Sequence, residues 1–321
     1  MPSPPPANRD CLRLPDGRRL FYSVAGPRDG TPVVYCHGAI GTPLERSVAL
    51  DSLARELGIR YVAISRPAVG GSDPAPGRTI RGFASDVQAV ADSLGLVRFA
   101  VVGVSAGAPY ALAVAHELAG RVTRVAACSP LSPLCALHRT PGLALRVRLA
   151  LGALTLMPRT LGALGDAAMP VVRHHPGLVS GVILAHAAPA ERERLRAPDE
   201  RRAASESFLT AAAGGVSGLI ADYLLYTGDW GFTPAAIAAE VHLWHGFRDP
   251  LVPIDHALAL ALSLRRCRVF FDPDEGHHFF RRRLAEILAV LVGVRPHADA
   301  HLERSLEGVR ALAARRGSIG D

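Results

Sequence analysis

Four short segments, "PVVYCHG", "RYVAIS", "FAVVGVS" and "VTRVAACS", are apolar along their whole length, and a stretch of helical character separates each from the next. A strand with one face in water alternates apolar and polar residues, whereas a strand buried on both faces reads as a continuous apolar run. The pattern therefore implies a parallel sheet covered by helices on both sides, an α/β architecture. Helices are expected near Arg46 to Leu57, Ile80 to Leu94 and Ala106 to Leu118. Ahead of them, "CLRLPDGRRLFYSVAG" reads as two strands around the turn Pro15, Asp16, Gly17.

The alternation stops after Pro130 and resumes near Val241, with "VHLWHG", a helix near His256 to Ser263, "CRVFF" and a helix from Phe279 to Val292. The stretch between is rich in Leu, Ala, Gly and Arg, with helical segments at Leu143 to Leu156, Ala188 to Arg196 and Arg202 to Thr227. A chain of 321 residues has room for such an insertion beside one full core. The expected organisation is an α/β core over 1–130 and 240–296, a helical lid over 131–239, and a helical tail over 297–321. In the tail, Leu302, Leu306, Val309 and Leu312 form an apolar stripe that packs on the body or on a partner helix.

Composition narrows the function. The net charge is +7 and every basic residue other than histidine is arginine, yet the arginines are scattered, dense only at "LRRCR" and "FFRRRL". No basic stripe with interleaved aromatics is present, so no nucleic-acid partner is implied. Cys11, Cys36, Cys128, Cys135 and Cys267 show no CxxC pair or metal-ligand spacing and read as buried free thiols. The start "MPSPPPANRD" has no apolar signal region, and no apolar run approaches the ~18 residues of a membrane span. A cytoplasmic protein is expected, with no metal or organic cofactor.

Gly103, Val104, Ser105, Ala106 and Gly107 match G-x-S-x-G at a strand-to-helix junction. There a sharp turn exposes the serine hydroxyl, and the small flanking residues let strand and helix approach. A simple tight turn would look alike. A serine attacks only after a base takes its proton. "DPDEGHHFF" offers His277 and, beside it, His278. The base needs a carboxylate to fix its tautomer. Asp249, in "WHGFRDPLVP", follows a strand; Asp272, Asp274 and Glu275 lie too close in sequence to His277. An oxyanion requires N–H donors, which Ala106 and, after Gly38, Ala39 of "HGAIGT" can supply, with His37 bracing that loop.

Taken in order, "HGAIGT", "SRPAVGGSD", "GVSAGAPYALAVA", "DWGFTPAAI", "LWHGFRDPLVP" and "EGHHFF" resemble the successive signatures of the α/β-hydrolase superfamily, in its serine branch with a helical cap, over roughly residues 11 to 294. The resemblance implies the chain order Ser105, Asp249, His277, with the base directly after the glycine. It departs at Ser65 and Ala68, where many relatives carry Asp and Gly. Ser105 argues against the dehalogenases and epoxide hydrolases of the superfamily, which use an aspartate nucleophile. Tyr223 and Tyr226 then read as packing residues.

The function this implies is a serine hydrolase cleaving an ester, thioester or amide of a small, apolar substrate through an acyl-enzyme. Leu143, Leu145, Val147, Leu149 and Leu151 would line an acyl pocket or simply pack on the sheet. An unshifted His277 would titrate near ~6.5. A ligand-binding protein with little turnover and an acyltransferase are the alternatives.

Overall fold

The computed structural model describes residues 10–41, 48–132, 143–295 and 302–316. Among these residues nine strands form one sheet: β1 (Asp10–Arg13), β2 (Arg19–Ala25), β3 (Thr31–Cys36), β4 (Ile59–Ile64), β5 (Phe99–Val104), β6 (Val122–Cys128), β7 (Glu240–Gly246), β8 (Cys267–Asp272) and β9 (Glu303–Arg304). Their order across the sheet is β1-β2-β4-β3-β5-β6-β7-β8-β9. From β4 to β8 all pairings are parallel, whereas β1, β2 and β9 run antiparallel to their neighbours.

The central strands are largely apolar because each face has its own core. Val34, Cys36, Val101 and Leu243 pack on one side with helices α2 (Phe83–Ser93), α3 (Gly107–Glu117) and α10 (Ile254–Ser263). Their sequence neighbours Val33, Tyr35, Val102 and Trp244 pack on the other with α1 (Val48–Glu56) and α11 (Phe279–Leu291). Period-2 alternation thus places successive side chains in two different cores.

Among the described residues, six α-helices lie between β6 and β7: α4 (Leu145–Leu156), α5 (Pro158–His174), α6 (Gly177–Ala185), α7 (Pro189–Arg196), α8 (Pro198–Ala211) and α9 (Val216–Tyr226). The sequence reading missed α5 and α6. It also ran α8 and α9 together; they are separate because Gly215 takes φ 106°, which no helix continues through. Beyond α11, the tail first adds β9 to the sheet edge and then forms α12 (Leu306–Arg316), whose Val309 and Ala313 are buried. The tail therefore packs on the body, with Arg316 paired to Asp255 of α10 at 3.0 Å.

Of the cysteines, Cys36 and Cys128 are buried free thiols as expected, but Cys11 is exposed because β1 is the outermost strand; Cys135 lies outside the described residues. Arginines of the two dense stretches meet acids: Arg268 pairs with Glu303, Arg281 with Glu200, and Arg282 and Arg283 with Asp272. No single helix among the described residues is long and apolar enough to cross a membrane.

Candidate active site

Ser105 sits on the turn between β5 and α3 with φ 52°, a left-handed conformation costing a non-glycine residue about 1–2 kcal/mol. The surroundings hold it there. Its N–H donates to the Cys128 carbonyl at 2.7 Å, and its carbonyl accepts from the Ala108 N–H at 2.9 Å. A Cβ on Gly107 would strike the Cys36 and His37 carbonyls, and one on Gly103 would lie 2.6 Å from the Ala108 Cα. The spacing of the motif is thus a packing requirement that leaves the hydroxyl at the N-terminus of α3.

Two loops from neighbouring strands reach that hydroxyl. His277, after β8, places Nε2 3.0 Å from Ser105 Oγ and Nδ1 2.7 Å from Asp249 Oδ2. In this arrangement Nδ1–H donates to the carboxylate and Nε2 accepts from the hydroxyl. Asp249, after β7, is fixed in turn, since its Oδ1 accepts from the Leu251 and Val252 N–H groups, each at 2.8 Å. Burial pulls the His277 pKa down, but the charge and hydrogen bond of Asp249, with Glu191 behind them, outweigh it and hold His277 above its ordinary value. The unshifted titration expected from sequence is therefore corrected upward. His278 is different: burial and the neighbouring His277 push it down to about 3, which keeps it neutral. Asp272 and Glu275 are engaged by Arg282, at 2.9 and 2.6 Å.

The loop after β3 forms the opposite wall. His37 is fully buried, its Nδ1–H donating to the Gly38 carbonyl at 2.9 Å and its Nε2 accepting from the Arg66 N–H at 3.3 Å. Burial, and then the Arg66 charge, depress its pKa well below the usual histidine range, consistent with the bracing role expected for it. The Arg66 guanidinium, also fully buried, donates to the His37 carbonyl, to the Gly38 carbonyl at 3.0 Å, and to Asp222 Oδ2 at 2.7 Å. A trans peptide sets its N–H opposite its C=O, so holding Gly38 C=O from behind orients the Ala39 N–H. Ala39 and Ala106 both line the cavity at Ser105.

This placement, with the candidate residues at the carboxyl ends of the parallel strands β3, β5, β7 and β8, has counterparts among known proteins. A family model described as alpha/beta hydrolase fold matches residues 31–156. The chain has the α/β-hydrolase fold. Over 123 residues it is 35% identical to a non-heme chloroperoxidase of Streptomyces lividans, a match spanning 37% of this chain and 44% of that protein. The fold is similar to that of a hydrolase from Pseudomonas aeruginosa PA01, at TM-score 0.68 and 17% identity, over 90% of this chain and 100% of the other. It is also similar to a bromoperoxidase from Bacillus anthracis, at TM-score 0.68 and 16% identity, over 89% and 99%.

On this fold the helical insertion roofs a cavity of about 320 Å³ containing Ser105 and His277. Val147 and Leu151 of α4, Val182 and Ile183 of α6, and Leu195 of α7 make its apolar wall. Of the five residues expected there, only Val147 and Leu151, one helical turn apart, face the cavity. Leu143 is buried in the core, and Leu145 and Leu149, on the other face of α4, are 69% and 66% exposed. Tyr223 packs, its hydroxyl donating to the Leu151 carbonyl at 3.3 Å; Tyr226, edge-on to it at 5.7 Å, also lines the cavity. No group of His, Cys, Asp or Glu among the described residues is arranged to hold a metal ion.

Both departures from the superfamily pattern have local consequences. Ala68 takes φ 62°, where glycine would be unstrained, and the buried Ser65 hydroxyl has no hydrogen-bond partner among the described residues. Sequence reasoning missed Asp222, which also accepts from Tyr110 Oη at 2.6 Å. An acid inside the otherwise apolar "GLIADYLLY" was its signal. Glu191, within "PAERERL", carried none.

Proposed function

We propose that this protein is a serine hydrolase that cleaves an ester, thioester or amide of a small apolar substrate through an acyl-enzyme. The observation that carries this reading is the unbroken chain from Ser105 Oγ through His277 to Asp249, at 3.0 and 2.7 Å, opening on an apolar cavity. Ser105 Oγ attacks the carbonyl carbon while its proton passes to His277 Nε2, and the imidazolium formed is stabilised by Asp249. The N–H groups of Ala39 and Ala106 receive the oxyanion. When the C–O, C–S or C–N bond breaks, His277 returns the proton to the leaving group. Water then repeats the sequence on the acyl-Ser105 ester. The helical insertion serves as a cap that excludes bulk water and sizes the acyl group.

Nitrophenyl esters of increasing acyl length, given to the wild type and to Ser105→Ala, test this. Turnover that depends on chain length and falls by 10³-fold or more in the variant is expected. Equal rates for the two proteins would remove Ser105 as nucleophile. A second acceptor is worth including, since two similar proteins carry peroxidase names: with hydrogen peroxide in place of water, the same acyl-Ser105 would release a peracid.

A further inference from the structure

Helix α7, from the insertion, grips the turn that carries His277. Glu191 is fully buried at the first turn of α7. Its Oε2 accepts from the Ala188 N–H at 3.2 Å, which caps its own helix, but its Oε1 accepts from the His278 N–H at 2.6 Å. From the next turn of α7, Arg194 Nη2 donates to the His278 carbonyl at 3.5 Å and lies 3.7 Å from Glu275 Oε2. The fit is close: a Cβ on Gly276 would stand 2.6 Å from Glu191 Oε2 and 2.5 Å from the Ala188 Cβ. A buried carboxylate from one unit thus holds the backbone of the catalytic turn in the other, by a charge-assisted hydrogen bond.

We propose that Glu191 is a positioning residue for proton transfer at His277, fixing the Gly276–His278 turn and adding a second negative charge that favours the imidazolium. This deepens the reading of His277 as the base and rests on it. The groups facing His277 are Asp249 on Nδ1, the Ser105 hydroxyl on Nε2, the neutral ring of His278 edge-on at 5.4 Å, the buried His245 behind Asp249, and Glu191. Around Glu191, burial raises its pKa, while the His278 and Ala188 N–H groups and the His277 charge oppose that; Asp249 adds to the rise. Both its oxygens accept hydrogen bonds, the arrangement of an ionised carboxylate. When the Ser105 proton reaches His277, the new positive charge finds two buried carboxylates. Desolvated charges of opposite sign shift a pKa toward the charged form.

The test is an NMR titration of the His277 imidazole in the wild type, Glu191→Gln and Glu191→Ala, with ester kinetics across pH on the same proteins. Glu191→Gln keeps the shape and an acceptor for the His278 N–H but removes the charge. The His277 midpoint should then fall by on the order of half a pH unit, and the acid limb of kcat/KM should move with it. In Glu191→Ala the turn also loses its acceptor, and kcat should drop on the order of tenfold to a hundredfold with a smaller change in KM. In the wild type, the His278 amide proton should be shifted far downfield and should follow the ionisation of Glu191, a readout that needs no variant to fold. Coincident His277 midpoints in wild type and Glu191→Gln, or a His278 amide insensitive to Glu191, would overturn the proposal. The titrations decide it even if no ester is turned over, an outcome that would instead count against Ser105 as nucleophile.

Discussion

Ala68 holds a left-handed backbone that a methyl side chain disfavours, and its own neighbourhood shows what removing the methyl would do. Relief of the strain is worth about 1–2 kcal/mol, and the added freedom of glycine in the unfolded chain returns about 0.5–1 kcal/mol. Ala68→Gly should therefore raise stability by roughly 0.5–1 kcal/mol in urea denaturation, and a loss of stability would show that the Cβ packs more than it strains. At His277 the relevant quantity is a sign. A base whose pKa is raised stays protonated to higher pH, so the acid limb of kcat/KM should have its midpoint above the ~6.5 of a free histidine. A midpoint at or below that value would mean burial outweighs Asp249 and Glu191. Ser105, His277 and Asp249 were legible in sequence because each follows an apolar strand, and strand ends in a parallel sheet converge. Glu191 and Arg66 were not, because what marks them is a partner many residues away rather than any local pattern.

At the scale of elements, α9 is tied to the loop after β4 by the buried pair Arg66–Asp222, and through Arg66 to the loop after β3. Asp222→Ala would leave the Arg66 guanidinium buried without its counter-ion, a loss of about 3–5 kcal/mol. Replacing both, with Arg66→Met and Asp222→Leu, should recover part of that stability in thermal melts, the rest being withheld by the His37 carbonyl and the Tyr110 hydroxyl, which lose their buried partners. It should not recover turnover, because the His37 and Gly38 carbonyls lose the donor that orients the Ala39 N–H. Full recovery of both would reduce the pair to packing. The strands and core helices of the fold were readable because their apolar runs are long and bounded by turn residues. Helices α5 and α6 were hidden by Pro158, Pro170 and Pro176, which read as loop punctuation although Pro158 and Pro176 stand at helix starts and Pro170 is tolerated near the end of α5. Strand β9 spans only Glu303–Arg304, too short for any alternation to show.

Over the whole molecule, burial dominates the histidines. His37, His242, His245, His256 and His278 all have depressed pKa values with burial as the leading cause, His256 reaching about 4. Each is neutral when folded but takes up a proton below ~6.5 once unfolded. Their stability contribution is full above that pH and is lost as pH falls toward the folded values, while His277, shifted the other way, favours the folded state at low pH. Five groups against one predicts a urea midpoint clearly lower at pH 5 than at pH 7, and equal midpoints would contradict the burial described. The helical insertion leaves the sheet at the carboxyl end of β6, Cys128, and returns at the amino end of β7, Glu240; the two strands are parallel and Glu240 pairs with Arg124, so the joints lie at opposite ends of the strand pair, ~13 Å apart along it. By geometry it is part of a crossover connection: a foreign helical unit grafted at those points would have to cross the length of the sheet as well as cover the cavity. The graft would work only if it brought two acids of its own, one for Arg66 and one for the His278 N–H. In this molecule, exchange of the insertion is limited by those two carboxylates as well as by the joints of the chain.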